Sequence, residues 1–167
     1  MMIKNAAVIQ KDNPSKYYKV VGKEGVGGFA RVFRCERLSD HKLYALKFIE
    51  PKSNAERASI MNEIGIMQLS NTTSVVQCIE AFDFQGRLWI FLELMDGGAF
   101  TNMLEELQGN YSEGFCKYTL YKTVQGLIDL HSQNIIHRDI KSDNILCKAN
   151  GEIKLADFGY AVMLTQQ

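Results

Sequence analysis

Apolar segments with the length of β-strands dominate the first half of this 167-residue chain. Three of them cover residues 17–23, 29–37 and 43–49. Glycines separate the first two and a turn at residues 39–41 separates the last two, which predicts an antiparallel meander. Two further strands are predicted at 75–84 and 88–94, with a turn between them at 85–86.

Helices are predicted on both sides of a glycine-containing break. Apolar residues recur at spacings of three and four over residues 55–69, and Ser53 or Asn54 could cap a single helix there. Asp96-Gly97-Gly98 then interrupts the pattern and indicates a hinge between two lobes. Two more helical segments follow, at residues 100–107 and 113–131.

Composition and charge narrow the class of protein. A hydrophobic content of 46% is ordinary for a globular chain. Nineteen basic and nineteen acidic residues balance, so no global charge favours nucleic acid or anionic lipid. The apolar stretches are too short to span a bilayer and the N-terminus lacks a signal-peptide core, so we expect a cytoplasmic protein. Reduced thiols are expected at the four scattered cysteines, Cys35, Cys78, Cys116 and Cys147.

The strongest chemical signal is a charged stretch that directly follows the apolar Ile135-Ile136. It reads H-R-D-I-K-S-D-N over residues 137–144, and D-F-G follows at residues 157–159. A base, a cation and two side chains that can bind a metal ion therefore lie in one short span. The pattern resembles the H-R-D-x-K-x-x-N and D-F-G motifs of eukaryotic protein kinases.

The resemblance implies a role for each polar residue of the motif. Asp139 would accept or orient the substrate hydroxyl, and Lys141 would neutralise charge on the transferred phosphoryl group. Asn144 and Asp157 would coordinate Mg²⁺. His137 could act as a general base, but its role in the family, packing beneath the D-F-G phenylalanine, is favoured.

A glycine-rich segment at residues 25–32 resembles the kinase pattern G-x-G-x-x-G-x-V, with Ala30 in the third glycine position. The resemblance assigns nucleotide contacts to Gly25, Val26, Gly27 and Gly28. The same letters also fit a dinucleotide-binding fingerprint, with Glu50 as the ribose-binding acid. That fold needs a helix after the glycines, whereas only residues 29–38 precede the next turn. The kinase interpretation is therefore favoured.

Residues 44–47, Y-A-L-K, resemble the kinase V-A-I-K element, which implies that Lys47 binds the α- and β-phosphates of ATP. A lysine in an apolar strand is costly unless its ammonium group meets an anion. The partner expected from the family is Glu63, in the middle of the first predicted helix. Glu56 is the competing partner, but it lies nearer the helix start.

The passage from the last predicted strand into the hinge resembles the adenine-binding segment of kinases. Leu92 would be the gatekeeper, and backbone groups of Glu93 and Met95 would contact the adenine edge. The alternative is an ordinary buried strand. The apolar residues expected on either side of adenine are Val32, Ala45 and Leu146.

Ser142-Asp143 stands where many kinases have Pro-Glu, and this is similar to the sterile-20 group, especially its p21-activated branch. The lysine at 141 is typical of serine/threonine kinases. The resemblance implies a protein substrate with a Ser or Thr acceptor, with Asp143 favouring basic residues upstream of it. It also implies regulation by a small GTPase or an upstream kinase through regions outside this chain, and a phosphate partner for Arg138.

We therefore expect an α+β, protein-kinase-like two-lobe fold, with an N-terminal antiparallel sheet plus one helix and an incomplete, mainly helical C-terminal lobe. The expected division is a tail at 1–16, an N-lobe at 17–95 and a partial C-lobe at 96–167, which ends eight residues after Gly159. Two functions stay open. One is an ATP- and Mg²⁺-dependent protein serine/threonine kinase, and the other is an inactive, regulatory fragment that binds nucleotide or a partner.

Overall fold

The computed structural model describes residues 9–27, 30–70 and 72–164, and these form two compact units. The first unit contains the described residues up to 68 together with Gln77–Leu94. The second contains Leu69–Val76 together with the described residues from 95 onward. Leu69–Val76 thus groups with the second unit, although the sequence division at residue 95 assigns it to the first.

The first unit is built on a five-stranded antiparallel sheet with the order β1-β2-β3-β5-β4. Its strands are β1 (Tyr18–Gly27), β2 (Ala30–Arg37), β3 (Leu43–Ile49), β4 (Cys78–Phe84) and β5 (Arg87–Glu93). β1 pairs directly with β2 in antiparallel register, and the described residues from Tyr18 to Arg37 contain no helix. This excludes the dinucleotide-binding alternative, which needs a parallel β-α-β unit.

The two faces of this sheet differ in chemistry. One face carries an aromatic core, formed by Tyr18, Cys35, Tyr44, Leu46, Phe82 and Phe91. Within it the rings of Tyr18 and Phe91 stack with their centroids 3.7 Å apart. Lys47 lies directly opposite Val32 on one neighbouring strand and Ile90 on the other, so these three residues share the opposite face.

Helix α1 (Asn54–Leu69) starts at a side-chain cap. The Ser53 hydroxyl accepts a hydrogen bond from the Glu56 backbone N–H at 3.1 Å. The Glu56 carboxylate in turn accepts one from the Lys52 N–H at 2.7 Å, which satisfies a second donor at this helix end. Of the two N-caps considered from the sequence, the structure therefore uses Ser53.

The second unit combines two helices with short strands. In chain order these are β6 (Gly98–Ala99), α2 (Phe100–Leu107), α3 (Glu113–Ser132), β7 (Ile135–Ile136), β8 (Ile145–Cys147), β9 (Ile153–Leu155) and β10 (Val162–Met163). β6, β8 and β9 form one small sheet, and β7 pairs with β10. The loop with the charged motif runs from β7 to β8, and the D-F-G residues follow β9.

The two glycines of the predicted hinge are each needed for a separate reason. A Cβ at Gly97 would lie 2.9 Å from the Cys147 carbonyl oxygen, which already accepts a hydrogen bond from the Gly97 N–H. Gly98 has a φ of +74°, which favours glycine. Only glycine therefore lets the chain turn here against the end of β8.

The four cysteines are free thiols. Burial raises the pKa of Cys35 to about 11 and that of Cys78 to about 12. Both thiols are protonated at neutral pH and are therefore poor nucleophiles. In the described ranges, no helix is long and apolar enough to cross a membrane.

Two glycines of α3 offer a matched test of its packing. A Cβ at Gly126 would meet the buried Leu155 side chain at 3.0 Å and the Ser74 carbonyl oxygen at 3.3 Å, whereas at Gly114 the nearest atom is 3.6 Å away. We expect Gly126→Ala to lower the free energy of unfolding by about 1–3 kcal/mol through overpacking. Gly114→Ala should raise it by up to about 1 kcal/mol, because alanine favours helix. Urea unfolding measures both, and equal stabilisation by the two substitutions would contradict this packing.

Candidate functional site

The charged loop is held together by hydrogen bonds among its own side chains. Lys141 Nζ lies 2.9 Å from Asp139 Oδ2. Asn144 Nδ2 donates to the same carboxylate oxygen at 2.9 Å and to the Asp139 carbonyl oxygen at 2.8 Å. Asn144 is only 5% exposed, so its amide is fixed with the nitrogen toward Asp139 and the oxygen directed away from it.

The charges of Asp139 and Lys141 support each other. The hydrogen bond from Lys141, with a further one from Asn144, lowers the pKa of Asp139 below its usual value. The same contact raises the pKa of Lys141. Both side chains are therefore charged at neutral pH. A carboxylate of this kind is a weak base but a good acceptor, so it is suited to orienting a hydroxyl group.

Asp157 reaches the loop through the strand that precedes it. The Ala156 N–H, one residue earlier, donates to the Asn144 carbonyl oxygen at 2.9 Å. Asp157 has a φ of +62° and Arg138 has one of +66°, a backbone region that non-glycine residues seldom adopt. The Ala156 carbonyl oxygen accepts a hydrogen bond from His137 Nε2 at 2.9 Å. The motif residues therefore meet in one place, with strained backbone at two of them.

His137 is a neutral, buried side chain. Its Nδ1 accepts a hydrogen bond from the Asp139 N–H at 3.3 Å, so the ring proton lies on Nε2, which donates to the Ala156 carbonyl oxygen at 2.9 Å. Burial lowers its pKa, and its ring centroid lies 5.0 Å from that of Phe158. Both nitrogens are used for backbone contacts, which agrees with a packing role and not with that of a general base.

Arg138 joins the charged loop to the residues after D-F-G. Its side chain is exposed, and its Nε donates to the Tyr160 carbonyl oxygen at 2.6 Å. The strand pair β7 and β10 connects the same two stretches, with Ile136 opposite Val162. The phosphate partner expected for Arg138 stays a prediction.

In the first unit, Lys47 forms an ion pair with Glu63, which supplies the anion that a lysine in an apolar strand needs. Its Nζ lies 2.5 Å from Glu63 Oε1, and the two side chains are only 22% and 7% exposed. Glu56, the competitor, is engaged at the helix start. This is the pairing that the sequence predicted, while the contact of Lys47 with phosphates stays a prediction.

The glycine-rich segment is described only in part. The backbones of Gly25, Val26 and Gly27 belong to β1 and pair with β2, whereas Gly28 lies outside the described residues. The register places Gly25 directly opposite Val32. The described part of this segment therefore forms the paired ends of β1 and β2.

Residues expected around adenine occupy β2, β3, β5, β8 and the hinge. Ala45 lies opposite Leu92, on the same sheet face as Lys47. The Glu93 N–H donates to the Gln77 carbonyl oxygen at 3.0 Å, and the carboxylate of Glu93 accepts from the Gln77 N–H at 2.9 Å. In the second unit, Met95 is buried and its carbonyl oxygen accepts from the Gly98 N–H, and Leu146 lies in β8.

The donor set near the loop fits a divalent cation that arrives with phosphates. Among the described residues, no group of three or more His, Cys, Asp or Glu side chains could hold a metal ion. The amide oxygen of Asn144 and the carboxylate of Asp157 are hard oxygen donors, and Mg²⁺ sites commonly use one or two such side chains plus phosphate oxygens and waters.

Two supporting contacts were not predicted from the sequence. The Thr101 hydroxyl of α2 donates to the Ser142 hydroxyl at 2.7 Å, which ties this helix to the charged loop. The Asp96 carboxylate accepts from the Ala149 N–H at 2.9 Å, which ties the hinge to the turn after β8. Both contacts join residues more than 40 positions apart, so no local pattern announces them.

Comparison with known proteins adds an independent finding. Residues 18–167 match the family described as "Protein kinase domain". The chain is 40% identical over 160 residues to the serine/threonine-protein kinase pakA of Dictyostelium discoideum and 38% identical over 162 residues to pakC of the same organism. It is 36% identical over 154 residues to the serine/threonine-protein kinase STE20 of Kluyveromyces lactis. These alignments cover 95%, 96% and 92% of the chain but only 13%, 34% and 15% of the relatives. The predicted similarity to the sterile-20 and p21-activated kinases is confirmed.

The buried pair of Lys47 and Glu63 predicts a large effect on stability. Lys47→Met would leave the Glu63 carboxylate buried without its cation, so we expect the free energy of unfolding to fall by about 3 kcal/mol. The double variant with Glu63→Leu should lose less than the sum of the two single variants. Lys117→Met is the control, since Lys117 pairs with Glu113 at an exposed site and should change stability by less than about 1 kcal/mol. Equal losses for the two lysine variants in urea unfolding would contradict the prediction.

The lowered pKa of His137 predicts a pH dependence. Between its native pKa and the ordinary value of about 6.5, the unfolded chain binds more protons than the folded chain, so stability falls as the pH is lowered below about 6.5. His137→Gln should flatten the slope of unfolding free energy against pH in this window. The control His131→Gln removes an exposed histidine and should keep the slope. An unchanged slope in His137→Gln would show that another group is responsible.

Proposed function

Because this chain belongs to the protein kinase domain family, we propose that it forms the ATP-binding and phosphate-transferring part of a protein serine/threonine kinase. The reaction would pass the γ-phosphate of ATP to a Ser or Thr hydroxyl of a protein substrate. The observation that carries this proposal is the joined set of Asp139, Lys141 and Asn144, with Asp157 arriving from β9. The names of the similar relatives give the same activity for those proteins.

Each polar residue of the loop has a role that its geometry supports. Asp139 is ionised and would accept the hydrogen bond of the attacking hydroxyl, which aligns its oxygen for transfer. Lys141 is cationic beside it and would stabilise negative charge on the transferred group. Asn144 and Asp157 would hold a divalent cation, Mg²⁺ in this proposal, which when bound neutralises phosphate charge.

The nucleotide would be bound by residues on the strands and the hinge. Lys47, held by Glu63, would bind the α- and β-phosphates. The backbone of the glycine-rich segment would approach the phosphates through Gly25, Val26, Gly27 and Gly28. Backbone groups of Glu93 and Met95 would contact adenine, with Val32, Ala45 and Leu146 as apolar neighbours.

The substrate and its regulation are further parts of the proposal. Asp143 is exposed next to the catalytic residues and would favour a basic residue upstream of the phosphoacceptor. Arg138, also exposed, would pair with a phosphate on the activation segment. We further propose a cytoplasmic setting, and control by a small GTPase or an upstream kinase through other regions of the full protein.

An inactive, regulatory fragment is the alternative. An inactive fragment would not need the catalytic residues of a kinase. This chain keeps them, and Lys47 is paired with Glu63 while Asn144 is hydrogen-bonded to Asp139. Nothing in these contacts favours the alternative over the kinase.

Phosphate transfer from ATP to a basic serine peptide, with and without Mg²⁺, tests the proposal. Asp139→Asn should lower kcat by roughly 10²–10⁴-fold while leaving ATP binding close to that of the parent chain. The matched control Asp143→Asn removes the neighbouring exposed carboxylate, so it should keep kcat and lose only the preference for the basic peptide over a neutral one. ATP binding without transfer in the parent chain would support the alternative, and transfer by Asp139→Asn at the parental rate would contradict the role given to Asp139.

A further inference from the structure

Asp129, on the side of α3 toward Leu69–Val76, accepts three side-chain hydrogen bonds. Its carboxylate accepts from Ser74 Oγ at 2.5 Å, from Thr72 Oγ1 at 2.7 Å and from Gln125 Nε2 at 3.1 Å. The bonds from Ser74 and Thr72 lower its pKa, so it is ionised at neutral pH. Two of the three donors belong to a segment more than 50 residues away in sequence. This carboxylate is therefore a fixed anchor for that segment.

The anchored segment supports β9. The Leu155 N–H donates to the Ser74 carbonyl oxygen at 3.0 Å, and the Val76 N–H donates to the Leu155 carbonyl oxygen at 2.8 Å. Val75, fully buried between these two bonds, pairs with Leu155 in parallel register. Gly126 allows β9 and the Ser74 segment to approach α3 closely, since a side chain at this position would meet Leu155 and Ser74. Ser74 thus contacts Asp129 through its hydroxyl group and β9 through its carbonyl oxygen.

The anchored segment is irregular in structure. From Thr72 to Gln77 the described backbone forms turns and one isolated bridge, but no helix and no strand of its own. A segment without regular hydrogen bonding takes its place from its side-chain contacts and its packing. A charged acceptor makes stronger hydrogen bonds than a neutral one. Removal of the Asp129 charge should therefore loosen the support of β9.

β9 leads directly into the proposed metal-binding residues. Leu155 is followed by Ala156, whose N–H donates to the Asn144 carbonyl oxygen and whose own carbonyl accepts from His137. Asp157 comes next. A displacement of Leu155 would therefore reach Asp157 along two residues of backbone and reach Asn144 through one hydrogen bond.

We propose that Asp129 is a positioning residue that sets the place of Asp157 and Asn144 by anchoring Ser74 against β9. This inference rests on the proposed function for its metal-binding part. It goes beyond that function because Asp129 lies on α3 and contacts none of the residues that we propose to bind nucleotide or substrate. The physical basis is the short path from a charged anchor through Ser74 and Leu155 to the carboxylate of Asp157.

The test compares Asp129→Ala and Asp129→Asn with Glu113→Gln, a control that removes an exposed carboxylate from the same helix. The first measurement, on the chain without ligand, is hydrogen exchange at the amides of Leu155 and Val76. The second is the affinity for ATP with Mg²⁺ relative to that with EDTA. We expect faster exchange at both amides in Asp129→Ala, and a loss of roughly 10–100-fold in the Mg²⁺-dependent gain in affinity with unchanged affinity in EDTA. Asp129→Asn keeps an acceptor oxygen and should lie between Asp129→Ala and the parent chain, and it carries the test when the alanine variant does not fold.

The outcomes separate this inference from the proposed function. Unchanged exchange at Leu155 and Val76 would overturn the anchoring role, whatever the chain binds. Faster exchange with a fully retained Mg²⁺-dependent gain would overturn the positioning of Asp157 and Asn144. An equal loss of affinity with and without Mg²⁺ would indicate general destabilisation and would also overturn it. A parent chain with no Mg²⁺-dependent gain would contradict the proposed function and the metal-binding part of the inference, while the exchange measurement still decides the anchoring.

Discussion

A buried amide at the centre of the charged loop is the contact on which the rest of this site depends. Asn144 is almost fully buried, and its side-chain nitrogen donates to both the carbonyl and the carboxylate of Asp139, while its backbone carbonyl accepts from Ala156. A buried polar group that lacks partners is costly, so each of these three bonds stabilises the loop. They join the loop after β7 to the strand before D-F-G. These bonds also place Lys141 and Asp157. Lys141 contacts the Asp139 carboxylate directly, and Asp157 follows Ala156, whose N–H is bonded to Asn144.

The two units meet the same physical requirement in different ways. In the first unit, a cation on a strand is neutralised by a single carboxylate on α1, and the pair of Lys47 and Glu63 needs a helix held at the right distance from the sheet. In the second unit, charged and polar groups satisfy one another within a loop, with backbone groups as additional partners. Each unit thus holds its own charged side chains in fixed positions by ion pairs and hydrogen bonds. Fixed charges of this kind act by electrostatic positioning, not as nucleophiles.

Backbone groups approach one another closely around this site, and small residues make that possible. Gly97 lies against the Cys147 carbonyl, and Gly126 lies against Leu155 and the Ser74 carbonyl. Close approach lets carboxylates at a distance in sequence, such as Asp129, act on the site through two or three hydrogen bonds. Support for the site therefore comes from residues that carry no recognisable motif.

Much of the fold was predictable because its signals are local. The helices begin and end within one residue of the predicted ranges, since apolar spacing and a cap such as Ser53 act over a few residues. The pairing of Lys47 with Glu63 was predicted from the family resemblance and a cost that any buried cation has. The sequence did not predict the two- and three-residue strands β6 to β10, because such short strands form only by pairing with partners distant in sequence. Tertiary contacts likewise decided three further features: the grouping of Leu69–Val76 with the second unit, the hydrogen bonds to Asp129 and the positive φ of Arg138. No local pattern predicts them, because such contacts join residues distant in sequence and can hold the backbone against its local preference.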